Sequence, residues 1–208
     1  MRRMISPVSD NQDKQNTYQT SISRYNKAIR EGFFFEAIII EYAMMEDRLR
    51  SFLYHIGLLN TRDSHKADVK RVKKSLKPII EKHKESKEND FFSITNISGK
   101  MKIIRCILQW SEDEFNEYED DYLAALRYQI DKHLDTDEML NTLQGIRNWC
   151  DYRNEIVHAL MNKNIASIYS ELPDRAEEGM RLCRELDNQV GRIKTGNRIR
   201  RKIKLANK

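Results

Sequence analysis

Glycine and proline are scarce in this chain, 7 and 3 among 208 residues, and that scarcity argues against a turn-rich β fold. Cysteine is scarce too. Cys106, Cys150 and Cys183 lie far apart, form no Cys-x-x-Cys pair and show no metal-ligand spacing. Each sits among apolar neighbours, so the expectation is three buried thiols in a reducing compartment, the cytoplasm. Long apolar runs are missing as well. The longest cluster, Phe33 to Ile40, is interrupted by Glu36 and stopped by Glu41, too short to span a bilayer, and no apolar run follows the N-terminal arginines as a secretory signal requires. No glycine loop of the phosphate-cradling kind exists, and the serines show no nucleophile elbow. No His/Cys/Asp/Glu set has convincing metal spacing, so no metal and no cofactor is expected.

Charge is abundant, at 33% of residues, against 39% hydrophobic. That balance favours helices with solvated charged faces. The net charge of +5 is unevenly placed. From Val190 to the end there are 8 basic residues and no acid; without them 29 basic residues of the 37 face 32 acidic ones. The body is therefore slightly acidic and the basicity belongs to the tail, a stretch able to grip RNA phosphates or simply to keep the chain soluble.

Apolar periodicity organises the rest. Residues 1–16 are polar and unpatterned, 17–189 read as a helical body, and 190–208 form the basic tail. A first helix is predicted from Tyr18 to Arg30, broken by Gly32. The next is the clearest: Phe34, Ile38, Tyr42, Met45, Leu49, Phe52 and Ile56 recur at spacings of three and four, and Gly57 is a plausible stop. Glu41 lies near the edge of that stripe and reads as a flanking carboxylate that reaches water. A third helix carries Val69, Val72, Leu76 and Ile80 inward, with Pro78 expected to kink it or start a new turn. Ile94, Ile97, Met101, Ile104 and Leu108 form another periodic set. Ser111 with Glu114 looks like a capping box opening a helix with Tyr118, Tyr122, Leu126, Ile130 and Leu134. Asp135 or Thr136 then caps a helix reaching about Lys163, and Pro173 sits in the first turn of a last one bearing Ala176, Met180, Cys183 and Leu186. No strand pattern and no repeat is found. The expected fold is all-α, an antiparallel helical bundle with a basic C-terminal tail.

The helix from Asp137 carries the chemistry. Its inward stripe reads Leu143, Ile146, Cys150, Arg153, Val157 and Leu160, which puts Arg153 at a core position. A guanidinium there must find a carboxylate, a phosphate or water. Asn154 and His158, four residues apart, share a face beside the stripe. A permanent cation, an amide and an imidazole together suit cleavage of RNA without metal. The imidazole moves a proton near neutral pH, the guanidinium holds phosphate and offsets growing charge, and the amide orients either. On spacing alone, an Arg five residues before a His fits a structural ion pair better, with Glu41 as one candidate carboxylate. The other histidines, His55, His65, His83 and His133, read as surface residues. The acidic run Glu112-Asp113-Glu114, continued by Glu117, Glu119, Asp120 and Asp121, reads as a solvated first helical turn. Trp110 and Trp149 read as core or interface.

The segment Arg153-Asn154-Glu155-Ile156-Val157-His158, late in a helical chain of this length, resembles the signature of the HEPN superfamily: Arg, four to six residues, then His, often with Asn directly after the Arg. The helix from Phe33 to Ile56 resembles the second helix of such domains, and the helical pattern extends the likeness over Tyr18 to Leu186. The resemblance implies a metal-independent endoribonuclease that leaves a 2′,3′-cyclic phosphate and a 5′-hydroxyl. It implies Arg153 as the phosphate-binding cation, His158 as general acid or base and Asn154 in support. It also implies RNA as substrate, a homodimer joining two motif helices, and a prokaryotic defence or toxin–antitoxin setting with an antitoxin or other defence partner. One departure is present: Leu160 stands where a subset of HEPN toxins has a modifiable Tyr. The rival reading from sequence is a non-catalytic helical interaction module. Trp149, Tyr152 and Ile156 form a second apolar face on the motif helix, which a second subunit would cover.

Overall fold

Two glycines end the first two helices. In the computed structural model, which describes residues 12–59, 66–84, 94–113, 120–159 and 168–195, every regular element among those residues is a helix. α1 (Gln12–Glu31) and α2 (Phe34–His55) meet at Gly32, whose φ is 78°. There the Phe33 amide donates to the Ala28 carbonyl at 2.8 Å and the Gly32 amide to Ile29 at 3.3 Å. Gly57, at φ 87°, closes α2 the same way, with Leu58 donating to Leu53 at 2.9 Å and Gly57 to Tyr54 at 3.1 Å. Both are left-handed caps that a residue bearing a Cβ fits poorly. The remaining helices are α3 (Lys66–His83), α4 (Ile97–Glu112), α5 (Asp121–His133), α6 (Thr136–Ala159) and α7 (Leu172–Thr195).

The chain forms two compact units. The first takes in Met1–Asp47 and Gln144–Asn188, the second Arg48–Leu143 and Gln189–Lys208. In the first, α1 starts at Gln12, ahead of the apolar pattern that begins at Tyr18. Its polar opening turns are held by tertiary contacts: Lys14 Nζ meets Asp47 Oδ1 and the Tyr18 hydroxyl donates to Asp47 Oδ2, each at 2.6 Å. α7 comes close to its neighbours at two helical glycines. A Cβ on Gly145 would meet Leu182 Cδ2 at 2.8 Å, and one on Gly179 would meet Glu41 Oε2 at 2.3 Å and Trp149 Cε2 at 2.9 Å. Glycine inside a helix costs about 1 kcal/mol against alanine, and here that cost secures tight helix contact. Ala176, Met180, Cys183 and Leu186 are all buried, as their spacing predicts, and Pro173 lies in the first turn of α7.

In the second unit α3 packs on α4 and α5, and α4 on α5. α4 is apolar on nearly every side. Besides Ile97, Met101, Ile104 and Leu108 it buries Ile103, Ile107 and Trp110, the mark of a helix covered from several directions. The Tyr122 hydroxyl of α5 donates to the Ile56 carbonyl at the end of α2, at 2.9 Å. α3 runs through Pro78 to His83 without starting a new turn. Pro78 and Lys74 are both exposed, so the carbonyl that loses its amide partner lies on the water side. α7 continues past Val190 and Ile193, both buried, to Thr195.

The expected start of α5 changes. Ser111 opens no helix: it lies inside α4, where its hydroxyl donates to the Leu108 carbonyl at 2.6 Å, the back-bonding that competes with capping. The cap of α5 is Asp120, whose carboxylate accepts the Tyr122 amide at 2.8 Å and a hydrogen bond from the Ser75 hydroxyl. Glu114 and Tyr118 lie outside the described residues. α6 is capped by Asp135, one of the two expected candidates, which accepts the Glu138 amide at 2.9 Å.

The acidic run is divided: Glu112 and Asp113 end α4, Asp120 caps α5 and Asp121 lies in its first turn as expected, and Glu114, Glu117 and Glu119 lie outside the described residues. Asp113 closes α4, with its carboxylate 2.6 Å from Lys82 Nζ and 3.1 Å from His83 Nε2 and its carbonyl accepting from Arg127. The bond from Lys82 draws its carboxyl below the usual range, helped by the charge of His83. His83, only 13% exposed at its side chain, is therefore part of a polar knot rather than a surface residue. His55 and His133 are half-buried, and His65 lies outside the described residues. The three cysteines are buried and free of disulfides. Among the described residues no helix is long and apolar enough to cross a membrane.

Candidate functional site

α6 positions all three motif residues, and Trp149 sets its rotation. That indole is 1% exposed, and its Nε1 donates to the Arg175 carbonyl of α7 at 2.9 Å. Ile146, Cys150 and Ile156 are buried with it. Arg153 falls four residues after Trp149 and three before Ile156, so it lies at the margin of the buried face and is half-buried. Asn154 and His158 point outward and are exposed. Val157, expected inward, is 38% exposed, whereas Ile156 is 3% exposed. A stripe stepping from Arg153 can continue at either residue, and the packing selects Ile156. Leu160 lies outside the described residues. The apolar face of Trp149, Tyr152 and Ile156, read from sequence as open to a second subunit, is covered within the chain: Trp149 and Ile156 are buried, and the Arg175 guanidinium lies 4.3 Å over the Tyr152 ring.

The Arg153 guanidinium lies 4.5 Å above the centre of the Tyr42 ring, on α2, and its Nη1 donates to Asn154 Oδ1 at 3.0 Å. Burial pushes the Tyr42 hydroxyl upward, with Cys150 and Glu46 adding to the shift and Arg153 opposing it. The ring is thus neutral and offers the cation an electron-rich face, a contact worth about 0.5–2 kcal/mol. No carboxylate lies within ion-pair distance of Arg153 among the described residues, and its buried Nε finds no acceptor there. The Cys150 thiol, one turn earlier, is pushed up to about 12 mainly by burial, against the pull of Arg153, so it stays protonated and supplies no thiolate.

Glu41 behaves otherwise than its sequence context suggests. It does not reach water: it is fully buried, and it is not the partner of Arg153. Burial pushes its carboxyl up to about 9, opposed by the Tyr25 hydroxyl and the Met180 amide, yet neither carboxylate oxygen completes a hydrogen bond of normal geometry. At neutral pH it is a protonated acid wedged against the glycine surface of α7 at Gly179.

Sequence reasoning places Arg153, Asn154 and His158 on one helix and the structure does the same, with Arg153 and Asn154 joined directly. It misses Tyr42, which reads as one more core residue of the α2 stripe, and Gly179, whose only signal is a glycine inside a helical pattern. Among the described residues no group of three or more His, Cys, Asp or Glu side chains gathers to hold a metal ion. A comparison with protein-family models, with curated proteins and with solved structures returns no match to this chain.

Proposed function

We propose that this chain is a metal-independent endoribonuclease built on a HEPN-like antiparallel helical bundle, with Arg153, Asn154 and His158 as its working residues. The observation that carries this reading is the state of Arg153. It is half-buried and meets no carboxylate among the described residues, and it is fixed by a ring on one side and by Asn154 on its edge. A partly desolvated guanidinium without a counter-ion is costly in a structural role and useful as a seat for an anion such as a phosphodiester. A structural arginine would instead be expected against a carboxylate, and the candidate named from sequence, Glu41, is buried against Gly179 instead.

In the proposed reaction the 2′-hydroxyl of a ribose attacks the adjacent phosphorus and the bond to the 5′-oxygen breaks. The products are a 2′,3′-cyclic phosphate and a 5′-hydroxyl. Arg153 binds the non-bridging oxygens and offsets their growing charge. His158 takes the proton of the 2′-hydroxyl or gives one to the departing 5′-oxygen. One motif supplies one imidazole, so a homodimer bringing two α6 helices together provides both roles, and the exposed Val157 beside His158 offers apolar surface for that pairing. The setting this chemistry suits is cytoplasmic RNA cleavage in prokaryotic defence or a toxin–antitoxin pair, with control by a partner other than one that modifies Tyr.

The test is incubation of the purified protein with mixed RNA in EDTA, beside His158→Ala and Arg153→Ala. Cleavage by the wild type and loss in both variants, with helicity retained, is expected. Cleavage that requires magnesium and survives both substitutions would contradict this reading, and no cleavage under either condition would leave the chain a non-catalytic helical module.

A further inference from the structure

We infer that Tyr42 is a positioning residue of the candidate site, the shelf that fixes the plane of the Arg153 guanidinium for phosphate. This rests on the ribonuclease reading above. Three observations converge on it. The guanidinium is centred 4.5 Å over the ring, and Asn154 is the one hydrogen-bond acceptor it meets among the described residues. Its Nε is buried without an acceptor, so hydrogen-bond satisfaction does not dictate where the group sits. Among the described residues no carboxylate holds it, and a carboxylate is the usual means of fixing an arginine. What remains to set its plane is the aromatic face beneath it and the amide at its edge.

That arrangement suits a cation that must bind an anion repeatedly. A carboxylate partner would neutralise the guanidinium and compete with phosphate, whereas a ring holds it through its face and leaves the outer edge available. Asn154 occupies Nη1 through a neutral acceptor, so the positive charge is undiminished. Tyr42 itself is anchored in α2 between Glu41, which is fully buried, and the turn carrying the buried Met44 and Met45, so the shelf belongs to the packed part of its unit. The role asks for an aromatic face and not for the hydroxyl. Phenylalanine should therefore serve, and an aliphatic side chain of similar bulk should not.

The experiment compares wild type, Tyr42→Phe and Tyr42→Leu in single-turnover cleavage of RNA in EDTA, with the Arg153 Nε–Hε resonance followed by NMR. Arg153→Lys identifies that resonance by removing it. Wild type and Tyr42→Phe should show a ring-current-shifted resonance and cleave at comparable rates. Tyr42→Leu should lose the shift and fall about 10- to 100-fold in kcat, with a smaller change in KM, because a catalytic group displaced by an ångström loses that much. If Tyr42→Leu is poorly folded by circular dichroism, Tyr42→Met takes its place, since an unbranched side chain fills the same space. Arg153-dependent cleavage that is unchanged in the aliphatic variant, or a resonance unmoved by it, overturns the role of Tyr42 and leaves the ribonuclease reading standing. Absence of any metal-independent cleavage by the wild type overturns both.

Discussion

Glu41 on α2 and Gly179 on α7 occupy one another's space: a Cβ at Gly179 would stand 2.3 Å from the Glu41 carboxylate oxygen Oε2. The contact joins a buried acid to a helix surface that has no side chain to yield. Gly179→Ala should therefore destabilise the protein by roughly 1–3 kcal/mol, despite the better helix propensity of alanine, because the added methyl overpacks the contact. Combining it with Glu41→Ala should recover part of that loss, the rest reflecting Trp149 Cε2 at 2.9 Å. Urea denaturation of the two single variants and the double variant measures this coupling, and strict additivity would show that the two residues do not press on each other.

The same acid gives stability a pH dependence of definite sign. With its folded-state carboxyl raised to about 9 by burial, Glu41 keeps a proton that the unfolded chain loses above about 4.5. The folded state then binds more protons than the unfolded state, so this residue makes stability fall as pH rises from about 4.5 to about 9 and adds no slope outside that window. Glu41→Gln cannot ionise. Its thermal midpoint relative to wild type should climb between pH 5 and pH 8.5; a constant difference across that range would mean that Glu41 is already ionised in the fold.

Asp120 offers a test of the second unit. Its carboxylate caps α5 through the Tyr122 amide at 2.8 Å and receives the Ser75 hydroxyl of α3. Asp120→Ala should cost about 1–2 kcal/mol, and Asp120→Asn, which keeps an accepting oxygen, should cost distinctly less. Chemical denaturation separates these outcomes, and equal losses in the two variants would show that the charge matters rather than the cap.

How far these features are legible in the sequence depends on what decides them. Helix positions follow from apolar spacing and from local punctuation, which is why Gly32, Gly57, Pro173 and the α4 residues Ile97, Met101, Ile104 and Leu108 read correctly. Ser111 misleads because a serine before a polar run has the same pattern whether it caps the next helix or back-bonds within the last turn of its own. Val157 misleads because Ile156 and Val157 are equally good continuations of a stripe through Arg153, and only the buried Trp149 chooses between them. The motif itself is visible because Arg153, Asn154 and His158 are close in sequence. Tyr42 and the burial of Glu41 are long-range facts, set by which helix faces which, and no local pattern carries them.

The most direct measurement is cleavage of one RNA sequence beside the same sequence as 2′-O-methyl RNA, in EDTA, with the product ends determined by mass spectrometry. Attack by the 2′-hydroxyl under Arg153 and His158 predicts that the unmodified RNA is cut to 2′,3′-cyclic phosphate ends, that the methylated strand stays intact, and that His158→Ala cuts neither. Cleavage of the methylated strand, or products bearing a 5′-phosphate, would contradict that chemistry.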